Sequence, residues 1–404
     1  MLLEFSFANF LSFRDKTTFS MVATPLKDRN VPDGDCTFAI DDESRLILTK
    51  TAAVFGANAS GKSNLVKAMS FYKWYILNSA KDVQAGEPVP VESFSLSSVT
   101  ATEPSMFEAV MWIDGSTYRY GFEAAKAGVS SEWLYVKSGK KRSKEIELLF
   151  RDGANCTIHP RLGIAKELVG RNMLRANALL LSLAGQFNDP IAVSIMKWLV
   201  DTTIITSGSE KEIWEAAVRR LDDPKTRRKI VDFSRYADLG IEDITKSDAG
   251  VLSSHTRYDD NGRPEGTASF SMSGAESEGT VKYFCLAYPI IDALEKGKRL
   301  VIDEFGAKLH TLLLERIVSL FNSAESNMTN AQMVATLHDT NLLSSKLLRR
   351  DQIWFTQKDG LGASSLYALS DYKVRNDASY EKDYLLGKYG ATPIIDDLSK
   401  VLMK

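Results

Sequence analysis

The first stretch of the chain alternates apolar and polar side chains with a period of two. Leu3, Phe5 and Phe7 fall opposite Glu4, Ser6 and Ala8, and TTFSMVAT resumes the texture after Asn9 to Asp15, so residues 2 to 23 predict two strands around a turn. Ala52 to Phe55 form a short apolar run suited to a buried strand, followed by Leu65, Met69, Tyr72 and Ile76 at helical spacing and a Pro/Ser/Thr-rich connection from Gly86 to Pro104. A hairpin comes next. Phe107, Ala109, Met111 and Ile113 alternate up to Asp114-Gly115, and Tyr118, Tyr120 and Phe122 alternate away from it. SEWLYVK and EIELLFR extend the strand texture on either side of a basic turn, Ser138 to Lys144.

Beyond about Leu162 the period changes. Leu168, Met173, Leu174 and Leu179 to Leu181, then Ile213, Trp214, Ala217, Val218 and Leu221, recur at spacings of three and four as far as Asp243, predicting an inserted helical subdomain. Residues 256 to 270, rich in Asp, Gly, Asn and Arg, read as a loop returning to the core. A helix from Val281 to Leu294, apolar strands at Arg299 to Ile302 and Gln332 to Thr336, and the strands QIWFTQKD and SSLYALSDY complete the pattern. The whole predicts an α/β fold: a mixed sheet, an antiparallel β-subdomain on its N-terminal side, and the helical insert.

Candidate chemistry gathers where apolar runs end. Gly56-Ala57-Asn58-Ala59-Ser60-Gly61-Lys62-Ser63 fits G-x-x-x-x-G-K-[ST] at every fixed position, between a predicted strand and a predicted helix. Glycines let backbone N–H groups curl around a phosphate chain, Lys62 reaches its terminal phosphates, and Ser63 offers a hydroxyl to Mg²⁺. Asp303 and Glu304 end the strand from Arg299. Beside a P-loop strand Asp303 can anchor the hydrated Mg²⁺, leaving Glu304 to act as base on a water. Ser277, Gly279 and Thr280, in Glu276 to Thr280, precede a helix and could form a second phosphate cradle, or an ordinary helix cap. His338 follows the strand Gln332 to Thr336, where a histidine can sense a terminal phosphate. Arg14, in the first turn, is either solvated or turned toward a nucleotide.

Charge and cysteines narrow the setting. Lys+Arg of 50 against Asp+Glu of 52 gives a formal net charge of -2 over 404 residues, so any nucleic-acid contact must come from local patches such as the basic turn or the segment Arg219 to Lys229. Both patches read equally as solvated faces. Three scattered cysteines, Cys36, Cys156 and Cys285, provide neither a disulfide framework nor a zinc site. With no signal-peptide pattern and no long apolar run, the expected location is cytoplasmic.

The order N-terminal strand pair, GANASGKS, ESEGT, LVIDE, Ala307-Lys308-Leu309-His310 and TLHD resembles the ABC-type ATPases of the RecF/SMC group. Within it, the chain is most similar to compact prokaryotic AAA-family ATPases of abortive-infection and restriction-linked defence operons, the RloA-like proteins. The resemblance reaches the tail, Tyr384 to Gly390. It implies an ATPase lobe over 1–160, a helical insert over 161–248, a second lobe over 249–370 and a tail over 371–404.

Site roles follow from the same resemblance. Gly56 to Ser63 would bind ATP, Ser63 and Asp303 would hold Mg²⁺, Glu304 would be the catalytic base and His338 the switch histidine. Ser277, Gly279 and Thr280 would be a signature motif completing the ATP site of a second subunit, with Ala307 to His310 as the D-loop at that interface. The motif lacks the usual leading Leu and second Gly, Ser273 to Glu276 offers a rival register, and no Q-loop glutamine is placed. The implied partners are a second copy of the chain, closing head to tail on ATP, and a separate nuclease-like effector in an anti-phage system. A RecF-like repair ATPase, an ATP-locked scaffold and a transporter's nucleotide-binding subunit are the alternatives.

Overall fold

The strand Thr51–Gly56 is buried along its whole length, as are Arg299–Ile302 and Gln332–Thr336, which is why these runs show no polar alternation. They are central strands of a six-stranded sheet in the order Thr202–Ile205, Arg299–Ile302, Gln332–Thr336, Thr51–Gly56, Ile353–Lys358, Ser364–Ala368, in which the last strand alone runs antiparallel to its neighbour. The computed structural model describes residues 1–26, 35–41, 46–140, 142–237, 240–248, 250–344, 346–375 and 378–393. Lys141 of the basic turn and residues 394–404 of the tail lie outside them.

Alternate residues of each strand face different cores. Ala52, Val54, Val301 and Val334 pack with Leu65, Val66, Met69 and Tyr72 of the helix Lys62–Asn78, while Ala53, Phe55, Ile302 and Ala335 pack with Leu286, Ile290, Leu314 and Ile317 of the helices Glu278–Lys296 and Thr311–Asn322. The helix Lys62–Asn78 also touches a second sheet of seven strands, ordered Asn155–Ile158, Ile146–Asp152, Gly128–Ser138, Ser116–Ala125, Ser105–Ile113, Leu2–Ala8, Thr17–Ser20. Neighbouring strands in it are antiparallel, as their alternation predicts. Tyr72 stacks on Phe122 at 5.8 Å and meets Phe5 edge-on at 5.6 Å, both of this second sheet, so the helix that packs on Ala52 and Val54 of the first lies between the two. Asp114 and Gly115 both take positive φ, 45° and 77°, as a two-residue hairpin turn requires.

The stretch predicted to be one helical insert is divided. Thr202–Ile205 is a strand paired in parallel with Arg299–Ile302 at the edge of the central sheet. Four residues, two threonines followed by two isoleucines, between helices have no local period that separates strand from helix. Helices before it, Gly163–Gly170, Leu180–Gln186 and Pro190–Val200, pack into the core beneath Lys62–Asn78, whereas Glu210–Arg220 and Pro224–Arg235 pack against Glu278–Lys296 through Ala217, Leu221, Ile230, Phe284 and Cys285.

Residues 256 to 270 are likewise no loop. Gly250–Tyr258 and Pro264–Ser271 form an antiparallel hairpin, joined by Ile241–Ser247 into a three-stranded sheet. Nearly every residue of Pro264–Ser271 is exposed, so the strand has no buried face to impose an apolar alternation and is held by backbone pairing. Asp259 Oδ1 accepts from Asn261 N at 2.9 Å and Arg263 N at 2.8 Å, setting the turn. No described helix is long and apolar enough to cross a membrane.

Candidate functional site

Two glycines shape the loop that leaves the central strand. A Cβ on Gly56, at φ 155°, would stand 2.5 Å from Thr356 O, and one on Gly61, at φ 119°, would stand 2.6 Å from Ser364 Oγ. The helix opening at Lys62 has Gly61 at its N-cap with no side-chain cap, leaving its first turn to favour an anion. Lys62 Nζ donates to Gly56 O at 2.7 Å and Ala57 O at 2.9 Å. Burial pushes its pKa down to about 8, against the pull of Asp303 and Glu304.

Walker-type acids meet this loop across the sheet. Asp303 is 5% exposed, and its Oδ1 accepts from Ser63 Oγ at 3.1 Å and Thr336 Oγ1 at 2.7 Å while Oδ2 accepts from Ser207 Oγ at 2.8 Å. A hydroxyl and a carboxylate in contact are the hard oxygen donors that suit Mg²⁺, which takes one or two protein ligands and completes its shell with water and phosphate. Glu304 holds a left-handed backbone, φ 50°, its N–H donated to Thr336 Oγ1 at 2.8 Å and its carbonyl accepting from Lys282 Nζ at 2.7 Å. Such a conformation persists where surrounding bonds over-determine it.

Residues Asn58 to Asn64, Glu304, His338 and Lys358 line one cleft of about 780 Å³. Burial lowers the His338 pKa, and the Lys62 charge lowers it further against the opposing carboxylates of Glu304 and Asp303, which favours neutral imidazole. Thus Gly56 to Ser63, Asp303, Glu304 and His338, read separately from the sequence, come together.

Ser277, Gly279 and Thr280 do not line that cleft. Ser277 caps the helix Glu278–Lys296, its Oγ accepting from Thr280 N at 3.1 Å and lying 2.9 Å from Thr280 Oγ1. A Cβ on Gly279 would be 2.5 Å from Lys308 O, so the predicted D-loop packs directly on the predicted signature. The rival register at Ser273 lies in the turn upstream, outside the helix cap.

Other candidates are occupied with local partners. Arg14 pairs with Asp15 at 3.0 Å, although its turn braces the site through Ser12, which accepts from Asn64 Nδ2 at 2.7 Å. In the basic helical segment, Arg227 pairs with Asp243, Arg228 with Asp232 and Lys229 with Glu295, and Arg220 lies over the Tyr288 ring. Arg227 and Lys229 are thus held by the protein's own acids. What the sequence reading missed is Thr336, Ser207, Thr356, Lys282 and Lys358. Each is a common polar residue without a spacing rule, and only a preceding apolar run marks Thr336 as a strand-end position.

Sheet order, P-loop and acids at neighbouring strand ends define an α/β P-loop nucleotide-binding protein. Residues 52–344 match the family described as "AAA domain, putative AbiEii toxin, Type IV TA system", and the chain belongs to that family. Among solved structures it is similar to an SMC head domain from Thermotoga maritima, at 14% identity and TM-score 0.43, covering 91% of this chain and 98% of that one. It is also similar to the recombination mediator protein RecF bound to ATPrS, at 11% identity and TM-score 0.28 over 91% and 98% of the two chains. The ATP form of RecF aligns at 12% identity and TM-score 0.31 over 91% and 97%. No curated protein matches the chain.

Proposed function

We propose that the chain binds and hydrolyses ATP with Mg²⁺, and that two copies close head to tail around the nucleotide. The observation that carries this reading is Asp303 Oδ1 at 3.1 Å from Ser63 Oγ, with Lys62, Glu304 and His338 about the same cleft. Lys62 and the loop amides hold the phosphates, and Ser63 with Asp303 holds the metal. Bound there, Mg²⁺ would draw electron density from the phosphate oxygens and offset the charge that develops on them. Glu304 takes the proton of the attacking water, and neutral His338 is free to hydrogen-bond the terminal phosphate. Because Ser277 and Gly279 stand at a helix N-terminus away from their own cleft, they are assigned to the ATP of the second copy.

Its family membership supports a role in anti-phage defence, with ATP-driven closing and opening controlling a separate effector protein. The ion-paired basic segment gives no support to a RecF-like grip on nucleic acid there. Glu304→Gln is expected to abolish steady-state turnover while keeping ATP-dependent dimerisation. A wild-type protein without turnover, with or without DNA, overturns the hydrolase reading in favour of an ATP-locked scaffold. Loss of phage restriction on Lys62→Ala in the native operon tests the biological role, and restriction unchanged by that variant refutes it.

A further inference from the structure

The tail segment Tyr384 to Gly390 has no part in the chemistry above, yet it ends against the P-loop. Ala57 N donates to Ala391 O at 2.9 Å. The carbonyl of Ala57 in turn accepts from Lys62 Nζ at 2.9 Å and Ser60 N at 3.2 Å. One residue therefore links the tail to the lysine and the turn of the phosphate loop. Ala391 O also accepts from Tyr384 OH at 3.1 Å, so the carbonyl is aimed from its own side as well.

This short turn is tightly built. Gly387, Gly390 and Ala391 all take left-handed backbone, φ 74°, 66° and 59°, and a non-glycine residue keeps that conformation only when its surroundings over-determine it. A Cβ on Gly390 would lie 2.4 Å from Gln357 Oε1 and 2.9 Å from Tyr367 OH. Tyr389 is buried, its ring 5.7 Å from that of Phe355 and its carbonyl 2.8 Å from Tyr367 OH. Phe355 and Thr356 belong to the strand beside the P-loop strand, and Thr356 Oγ1 lies 2.6 Å from Ser60 Oγ. Tail and neighbouring strand thus grip the loop at Ala57 and at Ser60.

We propose that the segment from Tyr380 to Ala391 is a strut that holds the P-loop in its phosphate-binding shape, with Tyr384, Gly390 and Ala391 as positioning residues for the nucleotide. The proposal rests on the ATP-binding reading and predicts that the tail sets affinity rather than the chemical step. None of these residues reaches Glu304 or Asp303, so loosening the strut raises KM and leaves kcat in place.

The test measures binding of a fluorescent ATP analogue, with steady-state kinetics at saturating ATP, in the full chain. Tyr384→Phe, which removes one hydroxyl, is expected to weaken binding about threefold to tenfold, the worth of one hydrogen bond. Gly390→Ala is expected to weaken it more than about tenfold, because a Cβ is strained at φ 66° and pushes the Gln357 and Tyr367 side-chain tips aside. In both, kcat at saturation stays within about twofold of wild type. Leu386→Ser, at a residue 65% exposed just after the same helix, is the control and is expected to bind as wild type does. Unchanged affinity in Tyr384→Phe overturns the strut, as does a loss of kcat at unchanged affinity or an equal weakening in Leu386→Ser. If Gly390→Ala fails to fold, Tyr384→Phe decides alone. A wild-type chain with no affinity for the analogue refutes the ATP reading instead.

Discussion

Thr336 Oγ1 donates to Asp303 Oδ1 at 2.7 Å, and the same oxygen accepts the Glu304 N–H at 2.8 Å. One hydroxyl at the end of a neighbouring strand therefore orients both acids. It fixes the rotamer of the metal-side carboxylate and the left-handed backbone of the residue assigned as base.

Replacing Thr336 by Val keeps the shape and removes both bonds, leaving the Glu304 amide without that partner. Such an amide costs about 1–3 kcal/mol. Turnover is expected to fall about tenfold to a hundredfold, with nucleotide affinity changed by less than about threefold, in parallel ATPase and binding titrations. Wild-type turnover in Thr336→Val would show that the hydroxyl does not position the base.

Asp303→Asn keeps the hydrogen-bonding outline and takes away a charge. The Mg²⁺ concentration for half-maximal ATPase activity should rise at least about tenfold, and EDTA should abolish wild-type turnover. A variant with the wild-type Mg²⁺ response would remove Asp303 from the metal site.

Ser277→Arg places a long cation at the cap of the helix Glu278–Lys296, clear of the subunit's own cleft. Light scattering coupled to size exclusion should then show monomers in ATP where wild type is expected to show pairs, while ATP binding to each monomer persists. Pairs that survive the substitution would mean the site is not completed from a second copy.

Glu132, on the strand Gly128–Ser138 of the antiparallel sheet, is fully buried and accepts from Leu180 N at 2.7 Å, Leu181 N at 2.9 Å and Tyr120 OH at 2.9 Å, with Arg151 Nη1 at 3.7 Å. Burial raises its pKa, opposed by Arg151 and these donors. Glu132→Ala strands the Arg151 charge and the amides that open the helix Leu180–Gln186, a loss of about 3–5 kcal/mol. Urea denaturation reads this directly. A midpoint equal to wild type would show that the network contributes nothing to stability.

How much was legible follows the range of the forces involved. Alternation exposed the hairpin at Asp114-Gly115 because one face of each strand is buried and the other is not. Pro264–Ser271 was opaque for the opposite reason, since almost nothing in it is buried. Thr202–Ile205 had apolar residues but too few to set a period, and its place depends on Arg299–Ile302, far along the chain. The segment Arg219 to Lys229 read either as a phosphate contact or as a solvated face, and the sequence could not show that Asp243 and Glu295 pair with Arg227 and Lys229.

By itself the sequence determined the phosphate loop, because Gly56 to Ser63 is a local structure whose glycines, lysine and serine act within one turn of chain and one helix start. It also determined that acids and a histidine stand at strand ends, since apolar runs stop where strands emerge. Which of them share a cleft was decided by the tertiary structure alone. Ser63 and Asp303 are 240 positions apart and meet because parallel strands align their ends side by side. The hydroxyls of Thr336 and Ser207 and the carbonyl of Ala391 enter for the same reason: hydrogen bonds act over about 3 Å, and only folding brings such distant groups within that reach.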